Sequence, residues 1–375
     1  MTMTNKFLLR TFTFSLVLML TACTLPLITP PADQTTPTVS SFVNNSGETV
    51  SPTTLSAAIP VVITSKNAGA LAVVNKAAVS NVQQVVWASD SHTLALSTQN
   101  SDGSGTQLFG VTSLNIPDLA PMNIYSTQSG RVSAIAVDGR TAALISLDLT
   151  TFSLIDLGAG NAVILTITPG FLIGNVTFSP DLRYIAVTKG ETWEVVLYSL
   201  VSGEEVRVLK GFETAAPVFN AGFKESPQWM VWHARGTIQL QELETGKLSQ
   251  RLEHEDFISA YALTSDGTIL ASASGKTVNG NMAPAITLWD APQGIELKTL
   301  TLTDPANAIA FSADGKLLAV GAAKALQLWD LNSGELLASL EGHTDQINTL
   351  AFSPDGKFIA TSGLDNQLYL WQVSQ

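Results

Sequence analysis

The chain has 375 residues, of which 45% are hydrophobic, among them 15 Phe and 7 Trp, so it carries ample material for a core and wholesale disorder is excluded. Its formal charge of −12, from 31 Asp and Glu against 19 Lys and Arg, argues against the basic face that phosphate neutralisation requires, so no nucleic-acid partner is expected. A single cysteine excludes both a disulfide scaffold and a thiolate metal cluster.

The first element is an address. Lys6 and Arg10 precede a short apolar run from Thr11 to Leu20. A membrane span needs about 20 apolar residues, so this run reads as an export signal. It ends in Leu20-Thr21-Ala22-Cys23, which resembles the signal of bacterial lipoproteins. The resemblance implies that residues 1–22 are removed and that Cys23 is acylated as the mature N-terminus. At about 0.8 kcal/mol per buried methylene, several acyl chains would hold the protein on a membrane. Thr24 follows the cysteine where an Asp would mark inner-membrane retention. The implied location is therefore extracytoplasmic and lipid-anchored, at an outer membrane or on the outer face of a plasma membrane. Residues 23–68 hold the lipidated cysteine and a Ser/Thr/Pro-rich stretch, read as a linker, with a strand at residues 60–64 as the alternative.

From residue 69 the sequence repeats at intervals of about 40 to 48 residues, the length of a four-stranded unit. Short runs with period-two alternation are separated by turn signals, as expected of half-buried strands. A Leu followed by a bulky or polar residue marks the end of the third strand in each unit. These pairs are Leu108-Phe109, Leu154-Ile155, Leu197-Tyr198, Leu240-Gln241, Leu288-Trp289, Leu328-Trp329 and Leu370-Trp371. Acidic turn residues keep the same register at Asp90, Asp138, Asp181, Glu225, Asp266, Asp314 and Asp355. Four of them, Asp138, Asp266, Asp314 and Asp355, precede Gly, which supplies the positive φ that tight turns favour.

Trp289-Asp290, Trp329-Asp330 and Gly342-His343 complete a pattern similar to the WD-repeat family. The similarity is strong in the last three units and degenerate in the first four. It implies an all-β, seven-bladed β-propeller of four-stranded antiparallel blades over residues 69–375. In that family each repeat opens with the outer strand of one blade and ends on the third strand of the next. The last blade would therefore be closed by an N-terminal strand, for which Ala70-Leu71-Ala72-Val73-Val74 is the candidate.

His343, Thr361, Asp365 and Trp371 match the family's buried hydrogen-bond tetrad. Such residues can also serve nucleophilic catalysis, but this spacing locks a blade. Unit five retains His254, Ser272 and Trp289 but has Ala283 in place of the Asp, predicting a less rigid top. Glu253-His254-Glu255-Asp256 lacks a second cluster to close a metal site and is read as a solvated loop; no metal or cofactor is expected. His233 is read as a packing residue. No hydrolase, phosphate-loop or dinucleotide motif occurs.

Two insertions, Gln99–Gly105 and Gly275–Pro284, are expected as loops over one mouth of the channel. Glu213, Glu255, Asp256, Asp304 and Asp345 would make that rim acidic. The resemblance implies a monomeric, non-catalytic scaffold for a protein or peptide partner, and the rim suits a basic one. An envelope hydrolase or oxidoreductase on the same scaffold, or a component of outer-membrane β-barrel assembly, are the alternative readings.

Overall fold

The computed structural model describes residues 60–101, 106–192, 194–210, 218–223, 229–234, 236–278 and 280–373. Their strands form seven sheets of four antiparallel strands. The inner strands of blades one to seven are Val82–Trp87, Gly130–Ile135, Ile173–Phe178, Val218–Phe223, Ile258–Leu263, Ala306–Phe311 and Ile347–Phe352. Three further strands follow in sequence order in each of the first six blades.

The seventh blade takes its outer strand from the other end of the domain. Leu71–Ala78 runs antiparallel to Gln367–Val373, from Leu71 opposite Val373 to Ala78 opposite Gln367. The expected closing strand is thus present. It leaves no open edge in the ring.

The packed region also begins earlier than residue 69. Ile63 and Ala68 are buried in the cluster between blades six and seven, and the Ile63 amide donates to the Gly356 carbonyl at 2.9 Å. Residues 60–64 form no strand. The buried Ile63 side chain and its amide hydrogen bond to Gly356 tie them down, while Val61 and Val62 stay exposed.

Successive side chains of a strand point to opposite faces. The middle strands, such as Trp229–Ala234, Leu317–Ala322 and Phe358–Gly363, are buried at every residue, not half buried as the alternation predicts. A blade thus presents apolar residues on both faces and must bury each against a neighbour. Among the described residues the core accordingly divides into seven clusters, one at each blade-to-blade interface. Polar ties run around the axis as well. In all seven blades the register shifts between inner and second strands. Such bulges re-aim a side chain. At three of them Ser133 Oγ accepts from the Val176 amide, Ser259 Oγ donates to the Ala306 carbonyl, and Asn348 Nδ2 donates to the Val82 carbonyl. Each bond crosses to the next blade.

The acidic turns between first and second strands are built in two complementary ways. In blades three, five, six and seven a hydroxyl two residues before the Asp donates to it: Ser179, Thr264, Ser312 and Ser353. Blades one and two have Ala88 and Ala136 there. They supply the hydroxyl from the other side, as Thr93 to Asp90 and Thr141 to Asp138. In each of these six turns one hydroxyl donor is kept although its position in the sequence moves; Glu225 of blade four lies outside the described residues.

Two expectations need correction. The register places Leu114 of blade one opposite Leu94, where Trp371 stands opposite Ile359 in blade seven, so Leu108-Phe109 is not the end of that strand. The strand is nine residues long, and its added residues lie at its start. The insertions, too, extend sheet, not loop. Ile269–Val278 pairs with Asn281–Asp290 as far as Val278 opposite Asn281, and in blade one pairing continues to Ser101 opposite Gln107. Backbone groups that would have needed water as a loop are satisfied across the hairpin. Residues 102–105 lie outside the described residues.

Candidate functional site

His343, on the loop that opens blade seven, meets Asp365 in the turn between its second and third strands. Loops of these two kinds therefore share one face, here termed the top face. The four predicted tetrad residues come together there. Trp371 Nε1 donates to Thr361 Oγ1 at 2.9 Å, and Thr361 Oγ1 lies 2.8 Å from His343 Nε2. His343 Nδ1 lies 3.0 Å from both oxygens of Asp365. With the Thr361 hydroxyl donating to Nε2 and Nδ1–H donating to Asp365, a neutral imidazole satisfies every group in the chain. Asp365 also accepts from the Thr344 and Gln367 amides at 2.9 and 3.1 Å. Burial alone would raise its pKa, but these amides and His343 outweigh it and hold the carboxyl below the usual carboxylate range.

The tetrad has no face left for chemistry. The side chains of His343 and Asp365 are 0% and 4% exposed. A nucleophile and its base must reach substrate, so this set is a strut.

Blade five lacks the carboxylate. His254 Nε2 lies 2.6 Å from Ser272 Oγ, and Trp289 Nε1 donates to the same oxygen at 2.9 Å. Cross-strand pairing places Lys276 opposite Ala283 at the position of Asp365. His254 Nδ1 is buried with no hydrogen-bond partner, and burial pushes the His254 pKa below its ordinary value. Where blade seven has Asp365, blade five thus has a vacancy in the side-chain hydrogen-bond network.

Of the predicted rim residues, Glu255, Asp256, Asp304 and Asp345 are exposed on the top face of blades five to seven. Glu213 lies outside the described residues, as does Cys23. Glu255 is not fully free: it accepts from the Thr277 amide of the blade-five hairpin at 2.9 Å, and the Thr277 hydroxyl first and this amide second hold its pKa below the usual carboxylate value. Glu253 accepts from Thr237 and Arg251. Among the described residues, no group of three His, Cys, Asp or Glu side chains is placed to hold a metal ion.

Sequence reasoning missed a second component of this face. Leu147, Leu172, Phe257 and Leu364 lie in its loops and are 61%, 42%, 46% and 55% exposed. The signal was available: each is a large apolar residue in a short connection, where no strand alternation explains it. The axis itself holds a cavity of about 480 Å³ lined by inner strands, including Ser259, Tyr261, Asn307 and Asn348. His233 lies on its wall, 92% buried, with its ring 5.3 Å from that of Tyr261, as a packing residue should be.

Comparison with protein families gives two matches to the WD domain, G-beta repeat, at residues 295–330 and 334–372. The first begins on the outer strand of blade five and the second in the turn just before that of blade six, and each ends on the third strand of the next blade. Among curated proteins none matches the chain. The repeats in blades five to seven are therefore similar to WD repeats by sequence as well as by fold.

Proposed function

We propose that this protein is a non-catalytic interaction propeller that holds a protein or peptide segment of basic character on its top face. Acylation of Cys23 would tether it to an extracytoplasmic membrane surface. The observation that carries the reading is the composition of the top face, whose loops expose Leu147, Leu172, Phe257 and Leu364 as well as Glu255, Asp256, Asp304 and Asp345. On this reading the exposed apolar side chains add contact area for the partner, and the acids select and steer a basic one. The similarity to WD repeats, which mostly serve as scaffolds, supports a binding role, and the buried tetrad gives no competing catalytic centre.

The test is crosslinking in native membranes followed by mass spectrometry. Reversing Asp256 and Asp304 to Lys is expected to abolish the crosslinked partner and its salt dependence. Unchanged yield and unchanged salt dependence would move the binding surface elsewhere. Cys23→Ser is expected to release the protein from the membrane fraction; retention with lipid still incorporated would end the anchoring part of the proposal.

A further inference from the structure

We infer that the flank of the ring between blades three and four binds an acidic residue of an extended peptide, its carboxylate on Arg207 and its peptide group on Gln239. This surface is separate from the top face, and goes beyond the reading of that face.

The outer strands of the two blades, Glu205–Leu209 and Leu248–Glu253, border a groove of about 550 Å³. That is room for one side chain with its adjoining backbone. Although the chain carries a net charge of −12, the ionic side chains lining the groove are Arg207, Lys210 and Arg251, all cations. Edge strands use charge to stay unpaired, so the cations alone would not point to a ligand. Arg251 is moreover paired with Glu253, and Lys210 lies 3.8 Å from Glu194.

Two features go further. Thr237, Gln239 and Gln241 lie on one face of the third strand of blade four, and all three are buried. Thr237 donates to Glu253, while Gln241 accepts from Trp232 Nε1 and donates to the Gly246 carbonyl. The Gln239 amide is 3% exposed and lines the groove, yet makes no hydrogen bond among the described residues. It has a carbonyl and two N–H groups to offer, the complement of a peptide group.

The second feature is Arg207. Its Nη1 donates to the Leu243 and Glu244 carbonyls at 3.1 and 2.6 Å, in the turn after the third strand of blade four. Gln250 makes the same tie one blade further on, to the Pro292 carbonyl, and Lys298 makes it in the next, to Leu331 and Asn332. A neutral amide therefore suffices for the tie. Arg207 brings a charge that no carboxylate pairs among the described residues, and its Nε and Nη2 donors stay outside the tie. Those two donors form a planar fork that fits a carboxylate bidentately. The tie holds the fork in place before a ligand arrives, which lowers the cost of binding.

Calorimetric titration of the full chain in detergent micelles tests the inference. The probes are acetyl-Gly-Thr-Glu-Thr-Gly-amide, its analogue with Gln for Glu, and free glutarate. The Glu probe is expected to bind at least ~10-fold more tightly than either of the others and to shift the Gln239 side-chain amide resonances. Arg207→Gln keeps a tie of the Gln250 kind and should erase the preference for Glu at unchanged melting temperature. Arg207→Lys keeps the charge without the fork and should retain only part of the preference. Gln239→Leu should weaken the Glu and Gln probes alike. Equal affinity for those two probes, a full preference in Arg207→Gln or Arg207→Lys, or no probe binding would each overturn the inference. Glutarate binding as tightly as the Glu probe, or unmoved Gln239 resonances, would overturn its peptide half.

Discussion

In blade seven Asp365 accepts from His343 and from the Thr344 and Gln367 amides, whereas in blade five the same place is shared by Lys276 and Ala283 and His254 Nδ1 is bare. The rest of the arrangement is common to both: an imidazole, a hydroxyl and an indole in one line. A single carboxylate thus decides whether the histidine is braced by side chains at both ring nitrogens or at one. Blade seven gives up accessibility for rigidity. Blade five extends its turn into a hairpin and keeps a cavity where the strut would be.

The comparison can be broken most completely at the ring closure, on which blade seven depends. A chain starting at residue 60 is expected to melt as the mature protein does. One starting at residue 79 lacks the whole of Leu71–Ala78 as well as Ile63 and Ala68, and should aggregate, because it exposes the edge of Gln367–Val373. Equal melting temperatures for the two would show that the ring is closed by another element.

Asp365→Ala comes next. It leaves His343 and two amides without their acceptor, a loss of about 1–3 kcal/mol for each buried group left unsatisfied. Chemical denaturation should register the loss, with crosslinking to the partner preserved below the transition. Lost binding at unchanged stability would assign Asp365 to recognition instead.

Acid distinguishes the two blades. The His254 pKa is lowered in the fold, so below the unfolded value of about 6.5 the unfolded chain takes up a proton that the native one refuses. Stability should therefore decline as pH falls through that range, and His254→Gln should flatten the decline. The Asp365 pKa is lowered too, but for a carboxylate the sign differs: its contribution is present above about pH 4 and is lost as pH falls through the folded value. Blade five should loosen first, and blade seven only in stronger acid. A steeper loss in His254→Gln than in the parent between pH 6.5 and 5, values set by the imidazole range, would refute the assignment.

The smallest effect sharpens the contrast. Ala283→Asp restores a carboxylate beside His254 and Lys276, and is expected to add about 0.5–1 kcal/mol while raising the His254 pKa. No change in either would mean that the hairpin holds this position away from the imidazole.

Much of this was legible from local signals. The spacing from Thr361 through Asp365 to Trp371 is fixed within one pair of strands, and a missing Asp at Ala283 is as readable as a present one. The third-strand position of the WD dipeptide is harder to follow because its Asp only needs to accept amides from the next turn. Asp330 accepts from Asn332 and Ser333, and Ser199 serves Val201 and Ser202 in the same way. Any short acceptor suffices, so the residue drifts while the turn persists. The hydroxyl exchange between Ala136 and Thr141 hides the first-turn signal similarly. Leu108-Phe109 misled because added strand residues preserve alternation but move the register. Ile63 was lost in a Ser/Thr/Pro-rich context, since nothing in its own neighbourhood names the cleft between blades six and seven that it fills.

Hydrogen exchange followed residue by residue over the free protein tests the central contrast most directly. The tetrad should hold the amides of Thr344 and Gln367 at the top of blade seven closed until global unfolding. The Thr277 amide and its neighbours at the top of blade five should open through local fluctuations, faster by at least ~10-fold, a difference of about 1.4 kcal/mol in opening free energy. Equal protection of the two tops, or greater protection in blade five, would contradict the claim that the missing carboxylate leaves the top of blade five less firmly held than that of blade seven.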